Sequence, residues 1–380
     1  LEELLSIEVN PRAAQPCCCN REGSAALYRC LDCDHHPIKC KECVLSAHQH
    51  LALHRIERWD GNHFAATSLL ELGHILYLGH DGDPCPCVSV DPTPSSDPAP
   101  IGNKRTSEQI SVVHTQGIRS VAIQYCICPG RKAPHVNQLL RAGLVPGTPD
   151  RPETAFSIEA LGLFHTLNME SGIGMYDYYK TLMRRTDNVF TQDVPDRYNQ
   201  FRVAMRFWRE LQVDLHSGRF LGLPEHLPSH VNDSISYMCP ACPQPGINYF
   251  PDAEHSGPKY IHTLFLAVDG NFRLQLKKKL RDLHDFHLHD GQAYFRNEEE
   301  YKHYLSTVKE SKQVGHQSTC HGFTAGNVAL ARRYKNAVVT GVVAVYCARH
   351  GMFRPDSIVD LEKGEKYINS DYALSGALAG

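Results

Sequence analysis

Between Cys17 and His54 the chain reads Cys-Cys-Cys, then Cys30-x2-Cys33, Cys40-x2-Cys43 and His48-x5-His54. So short a segment buries little apolar surface, so something other than a core must hold it. Two cysteines at x2 spacing bring both thiolates onto one turn, where they can share a tetrahedral metal. Two such pairs with trailing histidines read as zinc ligands, not as a disulfide scaffold. The expected arrangement is interleaved. Cys30, Cys33, His48 and His54 hold one zinc; Cys40 and Cys43 join two of the first three cysteines, Cys17 and Cys19, around another. The departure lies in that first pair. A consecutive triple replaces Cys-x2-Cys, Asn20 sits where a second cysteine is expected, and adjacent cysteines chelate poorly. His50 is an alternative to His48. Ligand sets that fill all four positions make the zinc structural, not catalytic.

The rest of the composition narrows the class. The chain has 380 residues, room for two or three domains. It has no apolar run long enough to cross a membrane, and its start, LEELLSIEVN, is acidic and amphipathic, unlike a signal peptide. Cysteines in metal-type pairs without that signal favour a reducing compartment. A net charge of −3 gives no global pull on nucleic acid. DNA contacts would come from local patches such as Lys277-Lys278-Lys279-Leu280-Arg281 or Arg332-Arg333. The chain begins at Leu1, has its first methionine at Met169 and ends inside a helical pattern, so it reads as a fragment.

Along the chain, residues 57–82 read as helical, with Leu69, Leu70, Leu72, Ile75 and Leu76 on one face. A loop dense in proline and serine follows over 83–105. Ser111–His114 and Ile118–Cys126 flank a Thr-Gln-Gly turn and predict a β-hairpin. Helices are expected at Gln138–Ala142, Ser157–Leu167, Gly174–Thr186, Pro195–Ser217 and about 297–310. Thr263–Val268 and Phe272–Lys277 read as strands paired with each other, and Ala337–Tyr346 as a further strand beside the second. A closing helix near Asp371–Leu378, with nothing after it to cover its apolar face, is expected to fray.

Cys239-x2-Cys242 and Cys347-x2-His350 are distant but complementary, and together complete one tetrahedral site, with Cys320 and His321 as spares. Cys85-x-Cys87 and Cys126-x-Cys128 have a spacing less usual for zinc and read as buried free thiols, a metal clip being the alternative. Glu298-Glu299-Glu300 reads as a solvated helix face. Asp269 ends an apolar run. Asp269-Gly270 favours a hairpin turn, although a strand-end Asp is also how RNase H-like nucleases hold catalytic Mg²⁺.

At this point the residues resemble a known family. Tyr28-Arg-Cys-Leu-Asp-Cys33, Leu78-Gly-His80, Cys126-Ile-Cys128, Cys239-Pro-Ala-Cys242, Leu266-Ala-Val-Asp-Gly-Asn-Phe272, Cys347-Ala-Arg-His350 and Lys363-Gly-Glu-Lys-Tyr-Ile-Asn-Ser-Asp-Tyr372 are similar, in order and spacing, to the fungal cysteine-cluster proteins associated with KDZ (Kyakuja–Dileera–Zisupton) transposases. The resemblance implies an α+β chain in three parts. These are an N-terminal zinc-binding Cys/His module (1–56), a mainly helical middle region with a β-hairpin near 111–126 (57–255), and an incomplete RNase H-like transposase core (256–380). It implies metal-dependent DNA strand cleavage and transfer, with Asp269 as the first catalytic acid, Mg²⁺ as the catalytic metal and structural zinc elsewhere. It also implies transposon-end DNA as partner, a nuclear location and no membrane. The family's later acids are expected beyond Gly380, and Asp360, Glu365 and Asp371 are not assigned in their place, so this chain is expected to be inactive. The rival reading is a non-catalytic zinc scaffold or protein-interaction module of B-box-like type.

Overall fold

A computed structural model describes residues 1–13, 15–88, 107–129, 133–222, 236–250, 257–278, 294–308, 336–362 and 367–379. Lys279–Arg281, Cys320, His321, Arg332, Arg333 and Glu365 lie outside the described residues. The chain divides into two compact units, Leu1–Trp208 and Arg209–Gly380. Among the described residues no helix is long and apolar enough to cross a membrane.

The first unit opens with a short helix α1 (Glu2–Ser6), then β1 (Tyr28–Cys30), α2 (Lys41–Ala47), β2 (Ile56–Trp59) and β3 (Phe64–Thr67). The three strands form an antiparallel sheet in that order. Buried Arg29 locks it to the N-terminus, pairing with Glu57 at 2.6 Å and Glu8 at 2.8 Å and lying over the Phe64 ring. The helix expected over 57–82 is therefore absent. Gly61 and Gly73 take positive φ angles that a helix cannot hold. Leu69 and Leu72 come from a turn, not a helix face, and plug a small cluster with Cys30, Val44 and Ile56.

The middle of the unit is a five-stranded mixed sheet. Its strands are β4 (Ile75–Tyr77), β5 (Glu108–His114), β6 (Gly117–Gln124), β7 (Leu144–Pro146) and β8 (Thr154–Ser157), in the order β4-β6-β5-β8-β7. The expected hairpin is β5–β6, closed by His114↔Gly117. Strand β4 runs parallel to β6, with Ile75↔Ala122 and Tyr77↔Gln124. Helix α3 (His135–Arg141) leads into β7, and α4 (Ile158–Ser171), α5 (Met175–Thr186) and α6 (Tyr198–Ser217) follow, close to the helical spans read from periodicity. Ser157 caps α4 by accepting a hydrogen bond from the Ala160 N–H.

Both faces of this sheet are buried, so its strands read as apolar runs, not as clean alternation. Val113, Ile118 and Phe156 meet Phe164, Tyr178, Leu182, Phe201 and Met205 of α4–α6 on one face. Ile110, Val112, Val121, Ile123 and Ala155 meet Leu139 and Leu144 on the other, with Ala52 and Leu53 of the N-terminal module packed against that cluster.

The second unit is built on an antiparallel sheet, β13-β12-β9, made of β9 (Leu266–Asn271), β12 (Gly341–Cys347) and β13 (Phe353–Leu361). A separate pair joins β10 (Leu276–Lys277) to β11 (Ala337–Val339). The expected Thr263–Val268/Phe272–Lys277 hairpin does not form. Asp269 and Gly270 lie inside β9, opposite Ala344 and Val343. β12 pairs with β9 along its whole length, from Val342↔Asn271 to Cys347↔Leu266, which leaves Asp-Gly no turn to make. Helices α7 (Glu298–Thr307) and α8 (Tyr367–Ala379) cover the Val343, Val345, Val359 and Leu361 face with Tyr301, Tyr372, Ala373 and Ala377.

Helix α8 is the closing helix expected to fray, and it is packed instead. Buried Arg354 donates twice to the Ala377 carbonyl, at 3.0 and 2.9 Å, where a cation suits the helix C-terminus. Arg296 lies 4.1 Å over the Tyr372 ring. Sheet and helix cover each other without a later strand.

Candidate metal centres

Among the described residues, four groups of Cys and His bring four ligand atoms each to within 4.8 Å of one another. In a tetrahedral zinc site with Zn–S bonds of ~2.3 Å, sulfurs sit about 3.8 Å apart. The observed separations lie around that value.

The first centre joins Cys17 and Cys19 to Cys40 and Cys43. Cys19 and Cys40 sulfurs are 3.8 Å apart, and the Cys40 N–H donates to Cys17 Sγ at 3.2 Å. Exposed Cys18 lies outside the set. The triple thus supplies Cys-x-Cys to the set, with the Cys18 sulfur 3.9 Å from that of Cys17 but not a member. The second centre joins Cys30, Cys33, His48 and His54. Cys30 Sγ lies 3.4 Å from His54 Nδ1, and Cys33 Sγ 3.4 Å from His48 Nε2. His48 uses its other nitrogen, Nδ1, on the Val44 carbonyl at 2.8 Å, which holds Nε2 towards the sulfurs. His50 is not a member. The first and third cysteine pairs share one centre and the second pair shares the other with the histidines, the interleaving expected from spacing.

The third centre was not expected. His80, Cys85, Cys126 and Cys128 converge, so Cys85, Cys126 and Cys128 are not isolated buried thiols. His80 Nε2 lies 3.4 Å from Cys126 Sγ and 3.3 Å from Cys128 Sγ, and Cys85 Sγ is 3.6 Å from Cys128 Sγ. Parallel pairing explains it. Strands β4 and β6 end side by side, so the residues just beyond them, Gly79-His80 and Cys126-Ile-Cys128, emerge together. Gly79 allows the approach: a Cβ there would stand 2.5 Å from the Cys126 Cβ. The usable signal was Leu78-Gly-His80 and Cys126-x-Cys128 following two apolar strands.

The fourth centre joins Cys239 and Cys242 to Cys347 and His350, as complementarity suggested. Cys242 and Cys347 sulfurs are 3.1 Å apart, and His350 Nδ1 is 3.3 Å from both Cys239 and Cys347. Gln244 braces the knuckle by donating to the Cys239 carbonyl at 2.9 Å.

Thiol acidity shows what these clusters need. Burial raises the Cys347 thiol, but the Cys242 thiol and the His350 and Arg349 N–H groups outweigh it and bring it to about 6. Burial then pushes Cys242 up to about 12, with the Cys347 and Cys239 thiols adding to it. In the first centre Cys17 is brought to about 6 against its burial by N–H donors from Cys19 and Cys40, while the Cys40 and Cys19 thiols push Cys43 up to about 12. Burial lifts Cys30 to about 12. Cys85 falls to about 6, its burial outweighed by the Ile127 and Cys87 N–H groups. In the first, third and fourth groups Cys17, Cys85 and Cys347 are acidified while Cys43, Cys126, Cys128 and Cys242 are raised by their neighbouring thiols; in the second, burial raises Cys30. A divalent cation relieves that opposition, so the donor sets fit zinc by chemistry as well as distance.

Asp269 stands apart. It is exposed on β9, and its Oδ1 accepts from the Gly270 N–H at 2.8 Å. Among the described residues it belongs to no group of three metal-capable side chains. Asp360 lies on the same sheet face but beyond β12 and two residues along it, so roughly 12 Å away. Burial, then the Glu298 charge, raises the Asp360 carboxyl.

Residues 69–190 match the CxC2 like cysteine cluster associated with KDZ transposases, and residues 262–380 match the Kyakuja-Dileera-Zisupton transposase. Over these two stretches the chain is similar to KDZ-associated sequences, a cysteine cluster and a transposase. The first stretch contains the whole third centre; the second contains Asp269, Cys347 and His350. No curated protein and no solved structure matches the chain.

Proposed function

We propose that the chain is a zinc-stapled part of a KDZ-type DNA transposase that works in the nucleus on transposon-end DNA. The match over 262–380 carries this reading. It is supported by an apolar β9 that bears one exposed acid, Asp269, within that match. In the reaction implied, water or a 3′-hydroxyl attacks a phosphodiester, and two Mg²⁺ ions held by several carboxylates stabilise the attacking and leaving oxygens. Asp269 would supply one ligand. Magnesium asks for six oxygens in near-octahedral order, and among the described residues Asp269 belongs to no group that would complete a two-metal centre. By itself the chain is therefore proposed to be inactive. In a plasmid-nicking assay with Mg²⁺ or Mn²⁺ it should leave supercoiled DNA intact. Nicking that disappears in Asp269→Ala would contradict the lone-acid account. The transposase reading itself is tested by the genomic reading frame past Gly380. A frame that continues into further strand-borne acids supports it; a stop codon there contradicts it.

A scaffold role is favoured for one part only. The first two centres, over Cys17–His54, lie outside both family matches. We propose that this cross-braced module docks a transposon end or a protein partner while the rest of the chain serves the transposase.

A further inference from the structure

Beside the fourth centre the second unit shows a surface that the metal does not use. Tyr260 is 59% exposed and Phe265 41% exposed. Exposed Arg349 lies 4.3 Å over the Phe265 ring and 5.8 Å from the Tyr260 ring, and donates to the Tyr260 carbonyl. The Ala348 N–H donates to the Phe265 carbonyl at 2.9 Å. The turn that supplies Cys347 and His350 thus also fixes the rings and the guanidinium. Lys259 is exposed next to Tyr260, and the stretches 257–265 and 347–352 contain no acidic residue.

Two exposed rings cost free energy in water unless something covers them, and a pinned guanidinium with cationic neighbours selects a planar, anionic cover. We propose that Tyr260, Phe265 and Arg349 form a stacking platform for unpaired nucleotides of a nucleic-acid strand. Bases lie on the rings through their π-faces, which every base has, and Arg349 and Lys259 meet the phosphates. A duplex hides its base faces and gains only the charge contacts. Phe265 precedes β9 by one residue, so this ring of the platform is carried within roughly 13 Å of Asp269 at strand spacing. The inference deepens the transposase reading by naming the form of its substrate, and rests on that reading only for the relation to Asp269.

The test uses the full zinc-loaded chain and a short fluorescein-labelled DNA strand, followed by anisotropy, with the blunt duplex of the same sequence alongside. The single strand should bind more tightly. The double variant Tyr260→Ala/Phe265→Ala should weaken single-strand binding about tenfold or more. Arg349→Lys, which keeps the charge but not the flat fork, should weaken the single strand while sparing the duplex. Variants that bind like the unaltered chain, a preference for duplex, or no binding of either form would overturn the proposal. Should the double variant lose zinc or fold poorly, photocrosslinking decides with the unaltered chain. A 5-iodouracil strand should crosslink within residues 259–265 or at Arg349, and crosslinks solely elsewhere would overturn it. Failure of the platform leaves the reading-frame test of the transposase standing.

Discussion

At the scale of single residues, the thiols carry most of the chemistry. Zinc needs them as thiolates, so metal binding lowers every ligand's effective pKa in the folded state. The stability this adds is present at neutral and higher pH and is lost on acidification. Cys17, Cys85 and Cys347 already sit at about 6, while Cys30, Cys43 and Cys242 are held at about 12. Zinc uptake near neutrality should therefore release protons from the second group. Below pH ~6 protons compete at every sulfur, and affinity should collapse. A zinc-indicator titration between pH 5 and 8 should show affinity rising with pH; a flat profile would contradict thiolate ligation. The third centre invites a single substitution. Cys128→Ser should remove one zinc per chain and leave the remaining centres loaded, as read by elemental analysis; an unchanged count would mean that centre holds no metal. The sequence made the other centres easier to see. Cys-x2-Cys names a chelating turn by itself, whereas His80, Cys85 and Cys126-x-Cys128 each carry half a site or less and meet only through a parallel strand pair. The trace the chain carries is Leu78-Gly-His80 and Cys126-x-Cys128, each following an apolar strand, and it is far weaker than a Cys-x2-Cys turn.

At the scale of elements, helix periodicity was reliable where a long apolar face had one sheet to cover. Helices α4, α5 and α6 fall where their spacing places them. It misled where small turns mimic it, as Leu69 and Leu72 do around Gly73. Strand pairing was the least legible. Asp269-Gly270 is a strong local turn signal, yet the long-range partner β12 overrides it. Helix α8 shows the same precedence of tertiary contact. Its Gly376 presses on the Asp356 carbonyl and the Arg296 side chain, so no Cβ fits there. Gly376→Ala should destabilise the second unit by about 1–3 kcal/mol through overpacking, even though alanine is the better helix former. Chemical denaturation of the full chain measures it, and a gain in stability would show that α8 does not pack as described.

At the scale of the whole molecule, the first unit has a conventional core around Phe156, Phe164 and Phe201, with two groups that could hold a metal on its N-terminal module and a third at the end of its sheet. The second unit draws Cys239 and Cys242 to the end of β12 through the fourth. The N-terminal module, with only small clusters such as Cys17, Ala26 and Cys40, should unfold on chelation while the α4–α6 core persists. One measurement addresses those centres directly. Protein purified without chelator, analysed for zinc by elemental mass spectrometry against an accurate protein concentration, should contain four zinc ions per chain, matching the four ligand sets. Less than about one ion per chain would contradict the account, because closed Cys/His sets of this geometry bind zinc as part of folding.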